Sequence, residues 1–126
     1  MATAAENWVQ QAEYDLETAR GLLEIKRYLY VLFCCQQALE KMLKALIAKQ
    51  TKELPPRSHN LTRLAELAIS KVPEERADLL RYLSRYYIQS RYPEEIADVA
   101  KEINKEKAQE VFNKTQEMFQ WLSSML

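Results

Sequence analysis

Glycine is almost absent from this sequence, since Gly21 is the only one among 126 residues. Tight β-hairpin turns and loops that hold phosphate groups depend on glycine, because they need a positive φ or a backbone without Cβ. The sequence therefore argues against a strand-rich fold, a Walker-type phosphate loop and a dinucleotide-binding Rossmann fold. It favours a chain built from helices.

Apolar residues recur at steps of three and four, the spacing of an amphipathic helix. The first stripe follows a capping-box pattern from Thr3 to Glu6, in which each side chain satisfies a free backbone N–H. A polar break at 24–27 precedes a second, wider stripe, which predicts the most buried helix. The apolar positions of the first, second and last helices are Trp8, Ala12, Leu16, Ala19 and Leu23; Tyr28, Leu32, Cys35, Leu39, Met42 and Leu46; and Ala108, Val111, Thr115, Met118, Leu122 and Met125.

Prolines divide the middle of the chain. Pro55 and Pro56 predict a loop over 51–58, and Pro93 predicts the end of a helix near Ser90. A third helix is expected around Leu61, and 94–103 is expected to be a short helix or an ordered loop. We therefore predict one domain over residues 1–126, an all-α antiparallel up-and-down bundle of four to five helices.

Charge and cysteine content exclude several function classes. The 18 lysines and arginines balance the 18 aspartates and glutamates, so no net charge attracts nucleic acid or membranes over long range. The longest apolar run is far shorter than the approximately 20 residues that span a bilayer, and the N-terminus lacks a signal pattern. We expect a cytoplasmic protein that binds no membrane. One histidine and the adjacent Cys34 and Cys35 cannot form a Cys/His zinc site, so no metal or cofactor is predicted, and both cysteines are expected as small apolar residues.

Four elements follow one another in a fixed order. They are Trp8 with Asp15-Leu16-x-x-Ala19; Tyr30-x-x-Phe33 leading into Gln36-Gln37-Ala38-Leu39-Glu40-Lys41-x-x-Lys44-Ala45-Leu46; His59-Asn60-Leu61-x-x-Leu64; and Tyr86-Tyr87-Ile88-x-Ser90-Arg91-Tyr92-Pro93. In this order and spacing the chain resembles the HEPN domain family over nearly its whole length.

The resemblance implies a helical bundle that is usually a homodimer and is often encoded beside a small nucleotidyltransferase. It also implies nucleotide binding and, for many members, RNA cleavage by the toxin of a toxin–antitoxin pair. In those toxins each protomer supplies an Arg-x(4 to 6)-His motif across the dimer cleft. Arg91 occupies the arginine position here, but residues 92–98 contain no histidine.

The missing histidine favours a binding module over a ribonuclease. RNA cleavage needs a general base and an acid, and arginine stays protonated. His59 and the carboxylates Glu94, Glu95 and Asp98 are the remaining candidates for a base. The structural interpretation of His59 is that its imidazole bonds the start of the third helix or packs on the loop. That of the three acids is that they stabilise the start of a helix.

The predicted nucleotide-binding residues are Arg91, Tyr92, Lys44, Lys41 and Tyr87. The resemblance implies that Arg91 and Lys44 grip a phosphate while Tyr87 or Tyr92 stacks on a base. The alternative is that the lysines pair with Glu40 or extend from the apolar stripe, and that the tyrosines fill the core.

Three functions therefore stay open. The first is a nucleotide-binding module that works with a nucleotidyltransferase in a toxin–antitoxin-type pair. The second is a toxin ribonuclease that acts on RNA with a rearranged base, and the third is a dimeric protein adaptor without a ligand.

Overall fold

The structure, a computed structural model, describes residues 1–89 and 92–126, and of Ile88 and Gln89 it describes the backbone alone. Every regular element within these residues is a helix, which confirms the predicted all-α fold. The segment left open at 94–103 is helical, so the described residues form six helices rather than four to five. The helices are α1 (Ala4–Glu24), α2 (Tyr28–Thr51), α3 (Leu61–Ala68), α4 (Glu74–Gln89), α5 (Pro93–Glu102) and α6 (Lys105–Ser123).

Side-chain caps fix where three of the helices begin. The predicted capping box is confirmed at α1, where Thr3 Oγ1 accepts from the Glu6 N–H at 3.1 Å and Glu6 Oε2 accepts from the Thr3 N–H at 3.4 Å. Asn60 and Asn104 cap α3 and α6 in the same way, with their Oδ1 atoms accepting from the backbone three residues on. Each such cap stabilises a helix start by about 1 kcal/mol.

Lysines take the left-handed conformation at both ends of α2. Lys26 has φ 65° in the turn from α1, and Lys52 has φ 58° at the end of α2, where its N–H donates to the Ala48 carbonyl at 2.9 Å. Gly21 lies inside α1 and serves neither turn. A residue with a Cβ loses roughly 1–2 kcal/mol in this conformation, and the packing of the flanking helices offsets that loss.

Helix α2 is the centre of the bundle, because it packs against all the other helices. The prediction that it is the most buried helix is confirmed, since its buried residues run from Val31 to Ala48 with few interruptions. Cys35 lies in this core and Cys34 at its margin, and neither forms a disulfide. Burial raises the pKa of both thiols, that of Cys35 to about 12. Among the described helices we find none with the length and apolarity needed to cross a lipid bilayer.

Candidate functional site

Three polar side chains form a line along the buried face of α2. Gln36, Glu40 and Lys44 are spaced by four residues, so they lie one above another on the helix. Their exposed fractions are 0%, 3% and 6%. Gln36 Nε2 donates to Glu40 Oε1 at 3.1 Å, and Lys44 Nζ donates to Glu40 Oε2 at 3.1 Å. We call these three residues the buried polar line.

His59 joins the buried polar line from the loop that precedes α3. Its Nδ1 lies 2.9 Å from Glu40 Oε1, and its backbone carbonyl accepts from Gln36 Nε2 at 3.2 Å. Two contacts to α2 therefore hold the residue while half of its side chain, 51%, stays exposed. The interpretation that His59 bonds the start of the third helix is wrong, because Asn60 caps α3 and His59 bonds α2 instead.

Both carboxylate oxygens of Glu40 are engaged. One oxygen faces His59 and Gln36 and the other faces Lys44, whose ammonium also lies 5.4 Å from the centre of the Trp8 ring. A buried carboxylate is stable only when it is paired and hydrogen-bonded, and both conditions are met here. Glu40 is therefore a fixed anchor for the imidazole.

Aromatic rings lie next to His59. The Tyr87 ring, from α4, lies 5.4 Å from the imidazole and 5.9 Å from the Phe33 ring, to which it is almost parallel at 12°. Phe33 comes from α2 and is 38% exposed. Phe33, His59 and Tyr87 thus form one surface, the aromatic surface, from three separate segments of the chain.

The structure separates the predicted site residues into groups. Tyr87 belongs to the aromatic surface, and Lys44 is paired with Glu40 inside the protein. Lys41 instead faces α1, where its Nζ lies 2.6 Å from Asp15 Oδ2. Tyr92 is exposed at the start of α5, and Arg91 lies outside the described residues. Both lysines are thus engaged in internal ion pairs.

The candidate carboxylates for a rearranged base belong to α5. Glu94 and Glu95 occupy its first turn and are exposed, as is Asp98 one turn later. Acids at this end of a helix stabilise it through the positive end of its dipole. Within the described residues, no group of three His, Cys, Asp or Glu side chains is placed to hold a metal ion.

Comparison with protein-family models gives one match that decides the classification. The model of the HEPN domain matches residues 5–125, which is nearly the whole chain. The chain belongs to the HEPN domain family. The resemblance drawn from the four sequence elements is thereby confirmed.

Two solved structures superpose on nearly the whole of this chain. TT1696 from Thermus thermophilus superposes with a TM-score of 0.82 at 26% identity, covering 99% of this chain and 100% of its own. ST0689, described as an archaeal HEPN homologue, superposes with a TM-score of 0.75 at 26% identity, covering 98% of each chain. A search of the curated proteins finds no match. The chain is thus similar to both proteins along nearly its full length.

Sequence reasoning missed the roles of Glu40, Gln36 and Phe33 in this HEPN chain. The sequence indicated Glu40 only as a partner for lysines, yet it is the residue that joins His59 to α2. The signal was present, because three polar residues at steps of four lie on one face of a helix whose remaining residues are mostly apolar. In a buried helix such a line predicts a polar network that another part of the chain must complete.

Proposed function

We propose that this HEPN chain is a binding module that holds a nucleotide on the aromatic surface. The observation that supports it is the half-exposed imidazole of His59, fixed by buried Glu40 and flanked by the stacked Tyr87 and Phe33 rings. Exposed aromatic rings provide stacking partners for bases, and such stacking contributes about 1–3 kcal/mol per base. The proposed ligand therefore places its base on this surface.

The phosphate of the ligand needs a positively charged partner. Lys44 and Lys41 are held by Glu40 and Asp15, so we assign them to the support of the site. Arg91 follows Tyr87 by four residues in the sequence, and guanidinium groups bind phosphate with two parallel hydrogen bonds. We assign Arg91 to the phosphate and the exposed Tyr92 to a second stacking contact.

Calorimetric titration with ATP, GTP and their monophosphates tests the proposal. We expect a micromolar Kd, about −8 kcal/mol, for at least one of them. Tyr87→Leu should weaken that binding by roughly tenfold, because a stacking contact worth about 1.4 kcal/mol is lost. Arg91→Ala should weaken the binding of nucleotides with more phosphates most strongly.

Tyr14→Leu provides the matched control. Tyr14 lies on α1, is 75% exposed and belongs to neither the aromatic surface nor the buried polar line. Its substitution should leave the affinity unchanged, with both variants shown to be folded by circular dichroism. No heat from any nucleotide, or an equal loss in the Tyr14 and Tyr87 variants, would contradict the proposal.

A ribonuclease is the second candidate, and the contact between Glu40 and His59 favours it. An imidazole oriented by a carboxylate at one nitrogen is the arrangement of a general base at the other. The test is incubation of the purified protein with RNA. Cleavage that disappears in His59→Ala and persists in Tyr14→Leu would establish the ribonuclease and displace the binding module.

Partner association is the last part of the proposal. We propose a homodimer, which family membership and the exposed apolar side chains of Ile25 and Tyr30 near the start of α2 support. Light scattering after size-exclusion chromatography gives the mass directly, and a monomer would contradict this part. A small nucleotidyltransferase encoded in the neighbouring gene should copurify when both are expressed together.

A further inference from the structure

We infer that α5 opens from the rest of the bundle as an independent unit, and that one hydrogen bond, from Tyr86 on α4 to Glu102 on α5, keeps it closed. In the open state α5 is detached while the other helices stay folded. The opening requires no nucleotide, so it goes beyond the binding proposed above and does not depend on it.

The docking of α5 depends on few buried side chains. Of its ten residues Val99 is buried, Ile96 is half-buried and the others are exposed, and the buried Ile103 follows directly after the helix. Within the described residues α5 packs against α2 and α4 and against none of the other helices. A helix of about this length is at best marginally stable by itself in water, so α5 should lose its helical structure when these contacts open.

One polar contact joins the end of α5 to α4. The Tyr86 hydroxyl donates to Glu102 Oε2 at 2.7 Å, and among the described residues this is the one hydrogen bond or ion pair between a side chain of α5 and another helix. Arg85 Nη2 donates to the same hydroxyl oxygen at 3.4 Å. A hydrogen bond to a carboxylate is stronger than one between neutral groups, so this contact is the main polar restraint on α5.

The position of Glu102 indicates that the bond has a specific role. Glu102 is the last residue of α5, where a carboxylate faces the negative end of the helix dipole and is disfavoured. The bond to Tyr86 offsets that effect. Tyr86 itself is 4% exposed, and its ring packs against that of Tyr82 with 4.7 Å between the ring centres. The donor is thus fixed in the core of the bundle, and the acceptor lies on the helix that opens.

The start of α6 does not depend on α5. Asn104 Oδ1 accepts from the Lys107 N–H at 2.8 Å, so residues of α6 itself fix where this helix begins. The opening of α5 can therefore end at Asn104 and leave α6 in place. At its other end α5 begins after Tyr92, its N-cap residue. A closed α5 therefore also positions the side chain to which the proposed function assigns a stacking contact.

Native-state hydrogen exchange followed by mass spectrometry tests the opening. In the wild-type protein we expect protection factors of the α5 amides at least about tenfold lower than those of α2, because the α2 amides exchange only when the whole bundle unfolds. Equal protection of the two helices would overturn the inference, because α5 would then unfold only together with the bundle.

Tyr86→Phe and Glu102→Ala test the hydrogen bond from its two sides. Each should accelerate the exchange of the α5 amides roughly threefold to tenfold, the loss typical of one hydrogen bond at a partly exposed site. The double variant should exchange no faster than the single variants, because both substitutions remove the same bond. Additive accelerations, or no acceleration in either single variant once circular dichroism shows it to be folded, would overturn the role of the bond.

Leu16→Val provides the matched control. Leu16 is buried on α1, and α1 does not pack against α5 within the described residues. The substitution should destabilise the whole bundle and accelerate exchange in α2, while exchange in α5 stays at the wild-type rate. An equal acceleration in α2 and α5 would show that α5 opens only with the bundle, and it would overturn the inference.

Discussion

The molecule has two polar regions that differ in how their charges are held. One is the buried polar line together with His59. Here the polar side chains of α2 are buried, and each is hydrogen-bonded within the group. The other is a cleft of about 530 Å³ between α4 and α6, lined by Arg76, Asp78, Lys107 and Glu110 among others. Its ion pairs are exposed, as in Lys114 with Glu110 at 3.0 Å and Lys107 with the same carboxylate at 3.7 Å.

The difference shows that the volume of a cleft says little about its chemistry. Exposed ion pairs contribute about 0–1 kcal/mol and exchange readily with water, so the side chains of the α4–α6 cleft are held in place weakly. The buried charges are held firmly, because separating the pair would leave an uncompensated charge inside the protein. A small site with fixed donors and acceptors is therefore the better candidate for recognition.

Removal of Glu40 is expected to have the largest effect on the free energy of unfolding. Glu40→Ala leaves the Lys44 ammonium buried without its carboxylate, which is expected to cost about 3–5 kcal/mol of the free energy of unfolding. Urea denaturation followed by circular dichroism measures the loss. A cost below about 1 kcal/mol would show that the buried polar line behaves like a surface pair.

The double variant Glu40→Ala, Lys44→Met separates a lost attraction from a stranded charge. Because it removes both charges, it should recover most of the stability that the single substitution loses. If the double variant is as unstable as Glu40→Ala, the packing around Glu40 accounts for the loss instead of the charge on Lys44.

The same contrast explains what could be predicted from the sequence. The helices and the caps of Thr3 and Asn104 depend on residues within one or two turns, so their spacing predicts them. The bond between Glu40 and His59 joins residues 19 apart, across a proline-containing loop that has no periodicity. The pair of Lys41 with Asp15 depends on the register of α1 against α2, which the apolar stripes do not specify.

Cys35 provides a second contrast with the buried polar line, because it is a buried titratable group of α2 that has no partner of opposite charge among the described residues. Burial raises the pKa of its thiol from 9.0 to about 12. Between these values the unfolded chain loses the proton and the folded chain keeps it, so stability falls as the pH rises. Near pH 10.5 the loss is expected to be about 2 kcal/mol relative to neutral pH.

Cys35→Ala isolates this contribution from other groups that titrate in alkali. The variant should lose stability by a cavity effect that is the same at every pH, and it should lack the part that grows above about pH 9. Urea midpoints of both proteins near neutral pH and near pH 10.5 provide the comparison. Parallel pH profiles would mean that the thiol ionises as easily in the folded chain as in the unfolded one.

The smallest effect is expected on the α4–α6 face. Lys114→Ala removes an exposed ammonium from Glu110, and Lys107 stays 3.7 Å from the same carboxylate. An exposed pair one helical turn apart contributes about 0.3–0.5 kcal/mol, so the urea midpoint should move slightly in low salt.

In about 1 M salt, where charges are screened beyond roughly 3 Å, the difference from wild type should disappear. The cost of Glu40→Ala should persist in the same salt, because ions do not reach the buried pair. A Lys114 effect that resists salt would place this cleft, like the buried polar line, among the regions whose charges are held out of water.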